Sequence, residues 1–379
     1  MKYYVTTFLY KKQYKINIDD VFVDRMNDET IEKSNSPSTI TRVYDEIPKE
    51  YLDKINVDKM ISWLKRFNRD NKWLFDMDRK SLYYHFSIPK SSGGLRPIDA
   101  PCEDLQFALR SLGTFIEHIS VMHHTAAFAY TEKRNTFKCV QKHQRNESNW
   151  YLKTDISGFF PNTTLDFVMN MAKMIFPMSE ICKSEEGYKE LKQALSFGFL
   201  NGGLPQGSPL SPSISTWMYI PIDHRLFNKL ADIHIVYTRY ADDMYISAKQ
   251  HFPKDMVIKL IKDTFAEFKV PHQLKPEKIH YGSRCGQNWC LGLMMNSYNN
   301  ITVGYRTKRT FKAALCSFIL DTKNKKYWNI KDVYHLRGQL SYYNMIEKDY
   351  FNHVIKTAEK KWKVNVKNMF KEYFNGSLA

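Results

Sequence analysis

Between Ile233 and Lys249 two runs of strand-forming residues, IHIVYTRY and MYISAK, are separated only by Ala241, Asp242 and Asp243. So short a connection restricts this stretch to an antiparallel hairpin. It also sets two carboxylates side by side at the edge of a sheet. They repel each other there, and a desolvated carboxylate requires a cation or a hydrogen-bond donor. An Asp-Asp turn on a polar loop would simply be solvated. Between apolar strands, a compensating positive charge is expected.

The rest of the chain mixes strands and helices without regular alternation, which predicts an α+β fold. Residues 1–75 carry no readable motif. Within them EKSNSPSTIT (Glu32–Thr41) reads as a loop. Val57, Met60, Ile61, Leu64 and Phe67 fall at helical spacing behind a cap at Asn56 or Asp58. YYHFSIPKSSGGLRPIDAP (Tyr83–Pro101) reads as strand, glycine turn, strand, with Lys90 and Arg96 beside the turn; a helix follows over CEDLQFALRSLGTFIEHI. WYLKTDISGFF (Trp150–Phe160) is a short apolar strand carrying Asp155, and a Gly- and Pro-rich loop, NGGLPQGSPLSPSIS, precedes the helix TWMYIPIDHRLFNKLA. After Thr307 the chain is basic and mostly helical.

If the strand carrying Asp155 lies beside the hairpin, three carboxylates converge. That is a hard oxygen site suited to Mg²⁺, with Mn²⁺ as a substitute, rather than to zinc or copper. Two such ions roughly 3.5–4 Å apart form the two-metal arrangement for displacement at phosphorus. Composition points the same way. Fifty-six Lys and Arg against 40 Asp and Glu give a net charge of +16, which favours a polyanionic partner. The six cysteines are scattered, and Cys285 and Cys290 with His280 lack the second close pair that a zinc site needs. No run approaches ~20 apolar residues, so no membrane partner is expected and a reduced cytoplasm is the default location.

Read in order, these segments resemble the reverse transcriptase family. RYADDMYIS resembles its Tyr-x-Asp-Asp hairpin, YLKTDISGFFPN the strand with its first metal-binding aspartate, and GGLPQGSPLSPSIS the loop and helix against template and nucleotide. FSIPKSSGGLRPI resembles its basic fingers hairpin, QNWCLGLMMN (Gln287–Asn296) its primer-grip strands and LRGQLSYYNM (Leu336–Met345) a thumb helix. The resemblance implies a right-hand polymerase fold. Residues 1–75 would form an N-terminal extension, 76–305 the fingers and an antiparallel palm, and 306–379 a basic helical thumb. It implies an RNA-directed DNA polymerase, a nucleotidyltransferase acting with two Mg²⁺ ions.

Carried over by position, Asp155, Asp242 and Asp243 with the Ile156 carbonyl would hold the metals, and Lys90 and Arg96 the triphosphate. Gln206 and Gly207 would lie against the nucleotide. Phe160 would be the ring that excludes a ribose 2′-hydroxyl, making deoxynucleotides the substrate, or else a core aromatic beside Phe159. Lys278 would protonate pyrophosphate, or be a plain surface lysine. Arg306, Lys308, Arg309 and Lys312 in GYRTKRTFK would contact nucleic acid. KNKKYWN (Lys323–Asn329) repeats the basic–aromatic combination, with a solvated helical face as the alternative.

Nothing in the length fits a protease, RNase H or integrase, and no endonuclease or long maturase segment follows the thumb pattern. QGSPLSP lacks the Ser-Gln variant of diversity-generating enzymes. The Asn-Ala-x-x-His pattern of retron enzymes is at best CVQKH (Cys139–His143), and their Val-Thr-Gly triplet is Cys290, Leu291, Gly292. What remains resembles stand-alone bacterial enzymes of anti-phage defence and their unknown-group relatives. The partners implied are a structured non-coding RNA as template, the DNA product and deoxynucleoside triphosphates, with a homo-oligomer or a separate effector protein open. Alternatives are a retron enzyme making RNA-linked single-stranded DNA, a template-independent or protein-primed polymerase, and a non-enzymatic RNA-binding scaffold.

Overall fold

The structure, a computed structural model, describes residues 1–8, 39–90, 93–119, 122–285, 287 and 289–375. The described residues fall into two compact units: 1–142 with 149–282, and 143–148 with 283–379.

In the first unit, β1 (Tyr3–Phe8) pairs antiparallel with β2 (Thr39–Tyr44). Thr39 to Thr41, read from sequence as the end of a loop, are therefore strand; the remainder of that loop lies outside the described residues. The helix α1 (Val57–Asp70) starts where the Asn56 side chain accepts a hydrogen bond from the Lys59 N–H at 2.8 Å. It buries Ile61, Leu64 and Phe67, the spacing of one helical face. Next come the hairpin β3 (Tyr83–Pro89) and β4 (Leu95–Pro101), α2 (Glu103–His118) and α3 (Thr136–Arg145).

β5 (Trp150–Ser157) is buried along most of its length. The helices α4 (Leu165–Ala172), α5 (Glu185–Ser196), α6 (Ser211–Trp217) and α7 (Ile220–Ala231) follow. The chain then returns through β6 (Val236–Tyr240) and β7 (Asp243–Ala248), the helix α8 (Lys254–Glu267) and the short strand β8 (Gln273–Leu274). These strands form an antiparallel sheet in the order β6-β7-β5-β8. One core of buried side chains, including Leu109, Leu152, Val168, Trp217 and Ile246, holds sheet and helices together.

The second unit contains a small hairpin, Met294–Met295 (β9) with Ile301–Thr302 (β10). Four helices follow: α9 (Tyr305–Lys323), α10 (Ile330–Ile346), α11 (Lys348–Trp362) and α12 (Val366–Phe374). Phe318 stacks on Phe370 with ring centres 5.0 Å apart, and Phe311 meets Phe351 edge-on at 5.3 Å. Among the described residues no helix is long and apolar enough to cross a membrane.

Candidate active site

The Asp-Asp stretch forms the expected turn. β6 ends at Tyr240, β7 begins at Asp243, and only Ala241 and Asp242 connect them. Ala241 takes φ +57°, a left-handed conformation that an alanine adopts at a cost. An anchor offsets it: Arg239 Nη1 donates to the Ala241 carbonyl at 3.0 Å. Arg239 is 1% exposed, and its guanidinium reaches Asp223, 0% exposed, at 2.7 Å, where the Tyr237 hydroxyl also donates at 2.8 Å. The turn thus stands on a buried ion pair.

β5 lies beside β7 with Asp155 directly opposite Asp243, and the Ile156 N–H donates to the Asp242 carbonyl at 3.0 Å. The sheet therefore brings Asp155, Ile156, Asp242 and Asp243 to adjacent positions. Burial, chiefly, raises the Asp242 pKa, and the neighbouring Asp155 and Asp243 charges raise it further. Three lysines answer this charge. Lys278 Nζ donates to Asp155 Oδ2 at 2.5 Å, Lys275 Nζ lies 3.2 Å from Asp155 Oδ1, and Lys153 Nζ 3.6 Å from Asp243. The bond to Asp155 holds the Lys278 pKa above its ordinary value. Lys278 thus contacts the cluster through Asp155, with 49% of its side-chain surface still exposed. Lys275 approaches Oδ1 without hydrogen-bond alignment, so this buried oxygen has no hydrogen-bond donor. A buried carboxylate oxygen left without a donor, next to two more carboxylates, fits a hard divalent cation.

Lys90 and Arg96 are exposed on the β3–β4 hairpin, where the Lys90 N–H donates to the Gly94 carbonyl at 2.9 Å. The Gln206 carbonyl accepts from the Asp99 N–H at 2.7 Å, which ties the loop to β4, while Gln206 Oε1 is buried without a hydrogen-bond partner. Gly207 sits at φ +121°, and a Cβ there would come within 2.9 Å of the Asp99 carbonyl oxygen. Only glycine allows that approach. Phe160 is half-buried, packed against the core with its ring centre 5.7 Å from that of Phe159. The turn after it is closed by hydrogen bonds from Thr163 N–H and Leu204 N–H to the Phe160 carbonyl, at 3.1 and 3.0 Å. Of the two cysteines in the zinc reading, Cys285 is exposed and Cys290 is buried.

In the second unit, Arg306, Arg309 and Lys312 are exposed along α9. Lys308 is engaged: its Nζ donates to Glu347 Oε1 at 2.5 Å and lies 4.4 Å from the Tyr350 ring centre. Glu347 Oε2 also accepts from Thr302 Oγ1 and Val303 N–H, at 2.8 and 2.9 Å. Trp328 likewise turns inward, donating from Nε1 to Asp321 at 2.9 Å and meeting Phe318 edge-on.

Sequence reasoning had missed Arg239, Asp223, Lys153, Lys275 and Tyr130. An arginine inside an apolar strand is a readable demand for a buried carboxylate. Nothing in the sequence named Asp223. Tyr130, at φ +56°, feels both the Asp242 and Arg96 charges.

The sequence profile of the reverse transcriptase (RNA-dependent DNA polymerase) family matches residues 88–312. The chain is 26% identical over 302 residues to the retron Ec83 reverse transcriptase of Escherichia coli, covering 78% of this chain and 91% of that one. It is 27% identical over 207 residues to the retron Ec73 reverse transcriptase of the same organism, covering 53% and 64%. Its departures from two retron motifs thus do not stand in the way of a relationship to retron enzymes. A telomerase structure from Candida tropicalis, with a fragment of telomeric RNA, superposes with a TM-score of 0.41 at 15% identity. It covers 74% of this chain and 55% of that one, a likeness too slight to bear on function.

Proposed function

This chain belongs to the reverse transcriptase (RNA-dependent DNA polymerase) family and is an RNA-directed DNA polymerase related to retron enzymes, and we propose that its centre is the cluster Asp155, Asp242 and Asp243 acting with two Mg²⁺ ions. The observation that carries this reading is the buried Asp155 Oδ1, left without a hydrogen-bond donor beside the Asp-Asp turn. The three carboxylates and the Ile156 carbonyl would hold the ions. Bound there, Mg²⁺ supplies a lowered pKa for the attacking hydroxyl and charge neutralisation at the leaving phosphate.

The chain's own residues do the rest. Lys90 and Arg96, on the exposed hairpin, bring positive charge to the triphosphate of the incoming nucleotide. Gln206 and Gly207 line the nucleotide's seat, the glycine leaving room for close approach. Lys278, kept protonated beside Asp155, holds a proton at Nζ for the departing pyrophosphate. Phe160 lies under the sugar and excludes a 2′-hydroxyl. Residues 76–305 serve as fingers and palm and residues 306–379 as a thumb, with Arg306, Arg309 and Lys312 against the duplex.

Replacing Asp242 and Asp243 together by alanine should abolish Mg²⁺-dependent DNA synthesis on an RNA template while the protein still melts cooperatively. Normal synthesis by that variant would overturn the assignment.

The template is a dedicated structured RNA, and the product serves anti-phage defence, as the resemblance to defence enzymes implies. A retron product, RNA-linked single-stranded DNA, is the second reading, favoured by the match along 91% of the Ec83 enzyme. Sequencing the nucleic acid that copurifies from cells separates the two: covalently joined RNA and DNA means a retron, unlinked DNA the first reading. Phage plating on cells carrying the double alanine variant tests the defence role, which fails if protection persists.

A further inference from the structure

The peptide carbonyl of Phe159, immediately before Phe160, is held by two side chains. Thr163 Oγ1 donates to it at 2.7 Å and His272 Nε2 at 3.0 Å. The other nitrogen of His272, Nδ1, lies 2.8 Å from the Tyr219 hydroxyl. His272 is 3% exposed and Tyr219 0%. A carbonyl can only accept, so the imidazole carries its hydrogen on Nε2, and the Tyr219 hydroxyl donates to the bare Nδ1. Burial drives the His272 pKa down to about 4, which keeps the ring neutral, and its two hydrogen-bond partners select the tautomer.

The line of contacts continues. The Arg239 guanidinium lies 4.6 Å from the centre of the Tyr219 ring, and the same guanidinium anchors the Ala241 carbonyl beside Asp242. Buried groups in contact therefore run from the backbone next to Phe160 to the turn that carries the aspartates. A leucine and a phenylalanine of similar volume would fill the space of His272 and Tyr219 without the cost of burying polar atoms. What the polar pair adds is direction: a satisfied buried network fixes one geometry.

We propose that His272 and Tyr219 are positioning residues for sugar selection, setting the Phe160 ring at a fixed height above the Asp242 turn so that a ribose is excluded. The proposal rests on the reading of Phe160 as the gate.

The measurement is the ratio of kcat/KM for deoxy- over ribonucleotide on an RNA template, in wild type and four variants. Phe160→Ala, the benchmark for the gate itself, should lower the ratio most. Tyr219→Phe, which removes one buried oxygen and keeps the ring over Arg239, and His272→Leu should each lower it by about three- to tenfold, the first losing one orienting hydrogen bond and the second two. His272→Gln, whose amide can donate to the Phe159 carbonyl, should restore most of the wild-type ratio; a merely space-filling role would not distinguish it from leucine. If His272→Leu melts too early to assay, Tyr219→Phe decides. Wild-type ratios in Tyr219→Phe and His272→Leu, with Phe160→Ala relaxed, overturn the positioning role and leave the gate standing. A wild-type ratio in Phe160→Ala overturns the gate, and the positioning role with it.

Discussion

The two compact units bury different chemistry. The first encloses ionisable groups: the Arg239–Asp223 pair, Asp155, and the imidazoles of His124 and His272. The second is built on stacked rings with one fully buried imidazole, His143, and its ion pair, Lys308 with Glu347, keeps 20% and 17% of its side-chain surface in water. Buried charge costs desolvation and is held only by geometry. The first unit meets that cost with the hydrogen bonds around Asp223. The exposed Arg306, Arg309 and Lys312 of the second incur none.

Acid should separate the two most strongly. Burial pushes the pKa values of His123, His224 and His272 down to about 4, and burial also holds that of His124 well below its ordinary value. Unfolded histidines titrate near 6.5, so between pH 6.5 and 4 the unfolded chain binds more protons than the folded one. Stability present above pH 6.5 is therefore lost as pH falls, by up to about 3 kcal/mol for each of His123, His224 and His272. Hydrogen exchange read by mass spectrometry, corrected for intrinsic pH dependence, should show residues 1–142 and 149–282 losing protection first. Simultaneous loss in both units would break the contrast.

Next in size is Arg239→Ala, which leaves Asp223 buried and uncompensated and should cost about 3–5 kcal/mol in denaturant unfolding. Glu347→Gln in the second unit, where water can replace part of what is lost, should cost only about 1–2 kcal/mol by the same measurement. Equal costs would erase the difference. Smallest in stability is neutralising Arg306, Arg309 and Lys312 together: within about 0.5 kcal/mol of wild type. In an RNA-binding titration against salt the same variant should lose about 0.7–0.9 of log–log slope for each phosphate contact removed. Parallel slopes with equal affinity would put that face in water.

What could be read from sequence was whatever is encoded locally. The Asp-Asp hairpin, the strand with Asp155 and the Asn56 cap are each written within a dozen residues by period, turn chemistry and capping. Interactions across the chain were invisible. Arg239 finds Asp223 sixteen residues back, and His272 finds Tyr219 across 53. The cations beside these carboxylates, Lys153 against Asp243 and Lys275 and Lys278 against Asp155, are none of them adjacent to the Asp-Asp turn in sequence. The basic–aromatic clusters also have partners that lie far along the chain. Composition predicted surface cations and stacking rings, but Lys308 is claimed by Glu347 39 residues later and Trp328 by the interior. Thr39–Tyr44 likewise became a strand because Tyr3–Phe8 lies alongside, a partner no local pattern announces.

Residues 143–148 belong with 283–379, although they sit inside the sequence of the other unit. Gln144 and Asn299 exchange hydrogen bonds both ways, each side-chain amide donating to the other's backbone carbonyl, at 2.8 and 2.9 Å. For anyone grafting this C-terminal lobe onto a relative, the transplantable piece is therefore discontinuous. A cut at residue 283 alone would carry Asn299 away from Gln144 and strand two backbone carbonyls without their donors. A chimera keeps the lobe intact only if the hexapeptide travels with it.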